Sequence, residues 1–139
     1  MTYGTAVIIK NKDGKLLLQH RDTNAPTDKN TWAMWGGGRE GDETPVENAM
    51  RELQEELSII VREEQLHLYK VFTISRDGLE DKEVSIFELY DEGNFEYEQH
   101  EGDEMRFFSP KEIKTLPLNF VARPVFAEYF GNSASGESN

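Results

Sequence analysis

The sequence predicts an α+β fold, an α/β/α sandwich around a mixed β-sheet, and three observations carry that prediction. Short runs rich in β-branched and aromatic residues recur between turn clusters, the pattern of a sheet. One segment in the first half carries a helical apolar stripe with its own start signal, and a second helical segment lies near the C-terminus. At 139 residues the chain suits one domain with a real core and leaves no room for a second of ordinary size.

In chain order, residues 3–10 (YGTAVIIK) and 15–21 (KLLLQHR) flank the turn cluster Asn11-Lys12-Asp13-Gly14 and read as a β-hairpin. Residues 22–31 (DTNAPTDKNT) are polar, with Pro26 and Asn30 as breakers, and form a loop. Residues 32–35 make a short apolar strand that runs into three glycines. The next helix is the firmest element: Thr44 is placed as N-cap, Pro45 as first helical residue, and Glu47 stands at the capping-box spacing from Thr44. Val46, Ala49, Met50, Leu53 and Leu57 form its apolar stripe, while Glu52, Glu55 and Glu56, at i, i+3 and i+4, share another face.

Residues 66–75 and 83–90 read as strands around the Asp77-Gly78 turn, and 95–99 and 105–109 as two shorter strands separated by the acidic run 100–104. Residues 110–115 suit a short helix and 120–130 a terminal one capped by Asn119. The single domain is thus expected over 1–130. Residues 131–139 lack large apolar side chains and are expected to be a disordered tail.

The formal net charge of -12 argues against docking on a nucleic-acid polymer or an anionic membrane, because such affinity comes from clustered Lys and Arg. A small anionic substrate must then arrive with cations that offset the repulsion. The chain has no Cys, which excludes a disulfide framework, a thiolate nucleophile and a Cys-based zinc site. No basic segment followed by an apolar run opens the chain, so a cytoplasmic location is the default expectation. Oligomeric state is left open, with a homodimer as one option.

Three glutamates on one helical face repel one another unless something positive sits between them. Hard cations such as Mg²⁺ or Mn²⁺ fit, since they take carboxylate oxygens and share their coordination with substrate phosphates. They polarise phosphoryl oxygens and lower the pKa of bound water, which favours hydrolysis of a phosphoanhydride. No Ser-His-Asp or Cys-His arrangement accompanies the glutamates, which points to direct attack by water.

Residues 37–59 (GGREGDETPVENAMRELQEELSI) place Gly37, Glu43, Arg51, Glu52, Glu55 and Glu56 at fixed spacings that resemble the Nudix box of the Nudix hydrolase superfamily. Six such positions recur by chance about once in ten million starts, and the Glu-rich composition raises that at most about a hundredfold. The one departure is Ser58, where the family usually has Gly; a left-handed Ser after a helix costs on the order of 1 kcal/mol and touches the helix end, not the chemistry.

The resemblance implies a Nudix-type sandwich and a metal-dependent pyrophosphohydrolase that cleaves a nucleoside diphosphate linked to a group X. It implies Glu52, Glu55 and Glu56 as the main metal carboxylates, with Glu52 or a nearby Glu accepting a proton from the attacking water. Gly36 matches the position whose main-chain carbonyl joins the ligands. Arg51 is expected to hold a carboxylate by a bidentate contact, and Glu43 to brace the turn. Glu101 stands where some relatives carry an extra acidic ligand, and is expected on a mobile loop; a solvated acidic loop is its alternative. Arg21 and its neighbour His20, at a strand end beside the 22–31 loop, are candidates to meet a phosphate. Trp32 and Trp35 are candidates to stack on a base, although aromatics beside glycines also pack cores. Trp35 replaces the Pro of many relatives. The alternative function is a Nudix-like module that senses a nucleotide without cleaving it; an isomerase on the same fold relies on a catalytic cysteine that this chain lacks.

Overall fold

The computed structural model describes the backbone of residues 1–137 and side chains through Gly131. In chain order the elements are β1 (Thr2–Asn11), β2 (Leu16–His20), β3 (Trp32–Ala33), β4 (Trp35–Gly38), α1 (Pro45–Leu57), β5 (Leu66–Ile74), β6 (Lys82–Asp91), β7 (Glu104–Phe108), α2 (Pro110–Ile113) and α3 (Ala122–Glu137), with a 3-10 turn at Glu63–Gln65. The sheet is mixed, as expected: β1 runs parallel to β6 along its full length, and β5 continues antiparallel on the outer edge of β6. Central β1 is buried from Gly4 to Ile9, so it reads as a continuous apolar run rather than an alternation.

Two strand expectations change. The hairpin survives only at its base, where Lys10 pairs with Leu16. Residues 4–7 of β1 pair instead with the glycine-rich β4, and β2 swings away to pair with β3 and β7. The apolar run 32–35 correspondingly breaks at Met34, whose carbonyl accepts the Gln19 amide N–H at 3.1 Å. Residues 95–99 form no strand. The segment is tied to other partners: the Glu98 N–H, and that of His100 just beyond it, donate to the Leu57 and Glu56 carbonyls at the end of α1, while the Tyr97 side-chain O–H donates to the Asp91 carboxylate at 2.8 Å.

The two sheet faces carry separate cores. Val7, Ile9, Leu17 and Trp35 pack with Ala49, Leu53 and Leu57 of α1, and Ala6, Ile8, Leu18 and Ile86 pack with Val125 and Phe126 of α3. Asn119 caps α3 by accepting the Ala122 N–H, and the helix is assigned through Glu137, into the segment expected to be disordered. Residues 138–139 of that segment lie outside the described residues. No helix among the described residues is long and apolar enough to cross a membrane.

Helix α1 begins as its sequence predicts, with reciprocal Thr44 and Glu47 bonds and Pro45 at its first position. It ends on Ser58 in a left-handed conformation, φ 58°. Ser58→Gly should relieve about 1 kcal/mol of left-handed strain while giving up the exposed Oγ contact to His100 Nε2 at 2.8 Å, worth about 0.5 kcal/mol. The expected outcome is a small rise in Tm; a fall would show that the His100 contact outweighs the strain.

Candidate active site

The turn before α1 and the helix itself are joined through one guanidinium. Arg51 binds Glu43 in bidentate fashion, Nε to Oε2 at 3.1 Å and Nη2 to Oε1 at 2.7 Å, and Nη2 also donates to the Gly38 carbonyl at 3.0 Å. Nη1 reaches Glu52 and Glu55, each at 3.2 Å. The bond from Arg51 is the main cause holding the Glu43 carboxyl below its usual range, and the bond to Glu43 in turn raises the Arg51 pKa. Glu43 therefore braces the turn, and Arg51 fixes carboxylates.

The three helix glutamates are not equivalent. Glu56 is 7% exposed and accepts the Gly36 N–H at 3.1 Å, whereas the Glu55 side chain is 56% exposed and held only by Arg51. Burial first, and the adjoining Glu52 carboxyl second, push the Glu56 pKa up to about 9, with the Glu101 charge adding to the effect. Glu52 lies directly over Gly37: a Cβ on Gly37 would come within 2.5 Å of Glu52 Oε2. The absence of a side chain there is what lets this carboxylate sit beside the strand.

Glu101 lies on a loop held by several hydrogen bonds. The Gln99 amide donates to the Glu101 and Glu104 carbonyls at 2.8 and 3.0 Å, Asp103 bonds His20 through both its N–H and its carboxylate, and Gly102 takes φ 78° against the His20 carbonyl. A cleft of about 280 Å³ adjoins this group, lined among others by Thr5, Gln19, Arg21, Lys82, Glu101 and Phe120 together with Gly36 and Gly37. Arg21 lines the cleft, and its Nε and Nη2 already donate to the Thr27 carbonyl at 3.0 and 2.8 Å.

The tryptophans do not offer the stacking faces expected of them. Trp35 is fully buried with its indole N–H on the Leu17 carbonyl, and Trp32 is 8% exposed, edge-on to Phe108 at 4.8 Å and beside His20 at 4.9 Å. Both rings fill the core because β3 and β4 are short and their large side chains supply most of the packing there. Sequence reading missed Thr5, Gln19, Lys82 and Phe120, which come from four separate segments. Gln19 alone left a signal, as a polar residue directly after the apolar run LLL.

The donor set fits a hard cation. Glu52 and Glu56 touch without a counter-charge between them, and the charge of a third carboxylate, Glu101, is near enough to add to the rise in the Glu56 pKa. Among the described residues no three carboxylate or imidazole groups are already closed around a single ion position. Burial and the Glu52 carboxyl favour the neutral form of Glu56 in the absence of a cation. Because the folded-state pKa of Glu56 is raised, its contribution to stability is complete below about pH 4.5 and is lost as pH rises toward about 9. Metal-free protein is expected to show a Tm that declines over that window, and Glu56→Gln to flatten the decline. An equal slope in the mutant would assign the effect elsewhere.

Comparison with known proteins gives a family and a set of folds. The family model for the NUDIX domain matches residues 2–129. The solution structure of the E. coli ORF135 protein superposes with a TM-score of 0.77 at 27% identity, covering 97% of this chain and 92% of that one. A MutT NUDIX hydrolase from Burkholderia pseudomallei gives 0.73 at 25% identity, with 90% and 95% covered. The NUDIX domain of Shewanella oneidensis NrtR, solved with ADP ribose, shares the fold at a TM-score of 0.74 and 15% identity, with 95% and 88% covered. No match is found among curated proteins.

Proposed function

The chain belongs to the Nudix family, as a hydrolase acting on phosphoanhydride bonds, and on that premise we propose that it is a divalent-metal-dependent pyrophosphohydrolase of a small nucleotide-type substrate. The bond cleaved is the diphosphate linkage of a nucleoside diphosphate joined to X. The observation that carries this reading is the pairing of half-buried Glu52 with buried Glu56 beside Gly36 and Gly37. Two carboxyls pressed together beside glycines that line a cleft are poised for cations rather than for mutual packing.

Glu52, Glu55, Glu56 and Glu101, with the Gly36 carbonyl, would hold Mg²⁺ or Mn²⁺. When bound, such ions neutralise phosphate charge and make a coordinated water more acidic. Glu52, or another of these glutamates, takes the proton from the attacking water. Arg51 keeps Glu52 and Glu55 oriented. The glycines allow a phosphate chain to approach the backbone closely, and the adjoining cleft accepts the nucleoside. The ADP ribose bound by the Shewanella relative supports a ligand of this size and class.

The test is a panel of nucleoside triphosphates, sugar nucleotides, dinucleoside polyphosphates and coenzyme-type diphosphates, assayed with Mg²⁺ or Mn²⁺ and again in excess EDTA. A nucleoside monophosphate should appear only with metal. Undiminished turnover in EDTA would overturn metal dependence, and tight binding without any cleavage would favour a nucleotide sensor.

A further inference from the structure

Ser58 is the position at which this chain leaves the Nudix box pattern, and its side chain reaches beyond the helix end. It follows α1 with φ 58°, a left-handed backbone that Gly adopts freely and Ser does not. Its Oγ lies 2.8 Å from His100 Nε2 and 3.3 Å from Glu98 Oε1, and those two groups are themselves 3.3 Å apart. The three close into one cluster when the His100 Nε2–H donates to Oγ and the Ser58 hydroxyl donates to Glu98. A Gly here would remove the strain and the cluster together.

The backbone beneath that cluster joins the same two segments. The Glu98 and His100 N–H groups donate to the Leu57 and Glu56 carbonyls at 2.9 and 2.8 Å, so residues 98–100 close the open end of α1. Glu56 is thereby held twice, its carbonyl by His100 and its carboxyl by the Gly36 N–H at 3.1 Å. Glu101 is the next residue along the loop, and it lines the cleft together with Gly36 and Gly37. The loop has separate anchors as well: the Gln99 amide donates to the Glu101 and Glu104 carbonyls, and the Asp103 N–H to the His20 carbonyl at 3.0 Å. Loosening the Ser58 contact therefore lets Glu101 shift without releasing the whole loop.

We propose that Ser58 is a positioning residue: its hydroxyl latches residues 98–100 to the end of α1 and so holds Glu101 in place beside the cleft before substrate and metal arrive. Backbone strain persists where surrounding contacts hold it, and it clusters at functional sites. Here the strained residue holds the neighbour of a cleft carboxylate. A carboxylate placed in advance needs no loop ordering when substrate binds. This rests on the hydrolase reading above and adds to it a residue that touches neither substrate nor metal.

Hydrogen exchange at the Glu98 and His100 amides, measured in EDTA, tests the latch without substrate. Steady-state kinetics on the best substrate of the panel test the positioning, with wild type, Ser58→Gly, Ser58→Ala, Glu101→Gln and the Ser58→Gly/Glu101→Gln double variant. Both Ser58 variants should exchange the two amides about two- to tenfold faster, the range set by one lost hydrogen bond, and lower kcat by a similar factor with KM little changed. Their stabilities should move in opposite directions, since Gly relieves the strain and Ala keeps it, so a shared loss of kcat follows the hydroxyl and not Tm. In the Glu101→Gln background Ser58→Gly should lower kcat no further, because no carboxylate remains to position. Unchanged exchange in both variants overturns the latch. Faster exchange with wild-type kcat, or a loss that persists in full beside Glu101→Gln, overturns the positioning and leaves Ser58 a helix-end contact. A wild type that turns over nothing in the panel removes the hydrolase reading and the positioning role with it, and the amide exchange distinguishes that result from a failed latch.

Discussion

Glu56→Gln is expected to lower kcat by roughly 10²- to 10⁴-fold, the scale of a lost proton-transfer or ligand group, without harming the fold. The structural half of that expectation follows from the environment of Glu56. Burial and the adjoining Glu52 carboxyl raise the Glu56 pKa and so favour its neutral form in the metal-free protein, and Gln reproduces the shape and neutrality of that form. The Gly36 N–H can still be accepted by the amide oxygen. What Gln cannot supply is the anion that a divalent cation requires. Metal-free Tm should therefore stay level or rise, while the Mg²⁺-induced rise shown by wild type shrinks. Wild-type turnover in this mutant would remove Glu56 from the ligand set. A collapsed metal-free Tm would show that the buried carboxyl supports the fold.

Two adjacent glycines should fail in opposite ways. Gly36 has φ 145°, and a Cβ on it would lie 2.2 Å from the Thr5 carbonyl oxygen and 2.8 Å from Ala6 Cα. Both are backbone atoms of the central strand, so relief requires β1 and β4 to part. Gly36→Ala is expected to cost on the order of 4–5 kcal/mol, most of the stability of a small domain, and to yield insoluble or unfolded protein. At Gly37 the atoms nearest the added Cβ are those of the Glu52 carboxyl, the far end of a flexible side chain. Gly37→Ala should fold, displace Glu52 from Glu56, and lose about two orders of magnitude in kcat. Soluble, active Gly36→Ala would show that the strand pair tolerates separation, and full activity of Gly37→Ala would show that the position of Glu52 is unimportant.

Helix α1 was legible because its signals are local: the Thr44 and Glu47 reciprocal bonds, Pro45 and the apolar stripe all act within a few residues. The family resemblance implied that Arg51 holds a carboxylate and that Glu43 braces the turn, but that the two meet each other was decided by the path of the turn before α1. The β1–β2 hairpin was legible only at its base. Turn chemistry at residues 11–14 set the reversal, but the pairing beyond it depended on β4 competing for the same edge of β1. Residues 95–99 have strand-like composition, yet the N–H groups of Glu98 and of His100 just beyond found the open carbonyls at the end of α1, a partner that no neighbouring sequence announces. The tryptophan assignments failed likewise, because a ring beside glycines faces core or cleft according to which strands flank it.

By itself, the sequence determined the chemistry available: glutamates at fixed helical spacings, glycines ahead of them, and an arginine to hold them in register. Which glutamate is buried was decided only in three dimensions. Residues i, i+3 and i+4 straddle a helix stripe at about 100° per residue, so Glu55 and Glu56 fall on either side of Glu52, and sequence spacing treats them alike. Packing Ala49, Leu53 and Leu57 against Val7 and Trp35 fixes the rotation of α1 over β4. That rotation turns Glu56 inward to the Gly36 N–H and leaves Glu55 at the surface on Arg51.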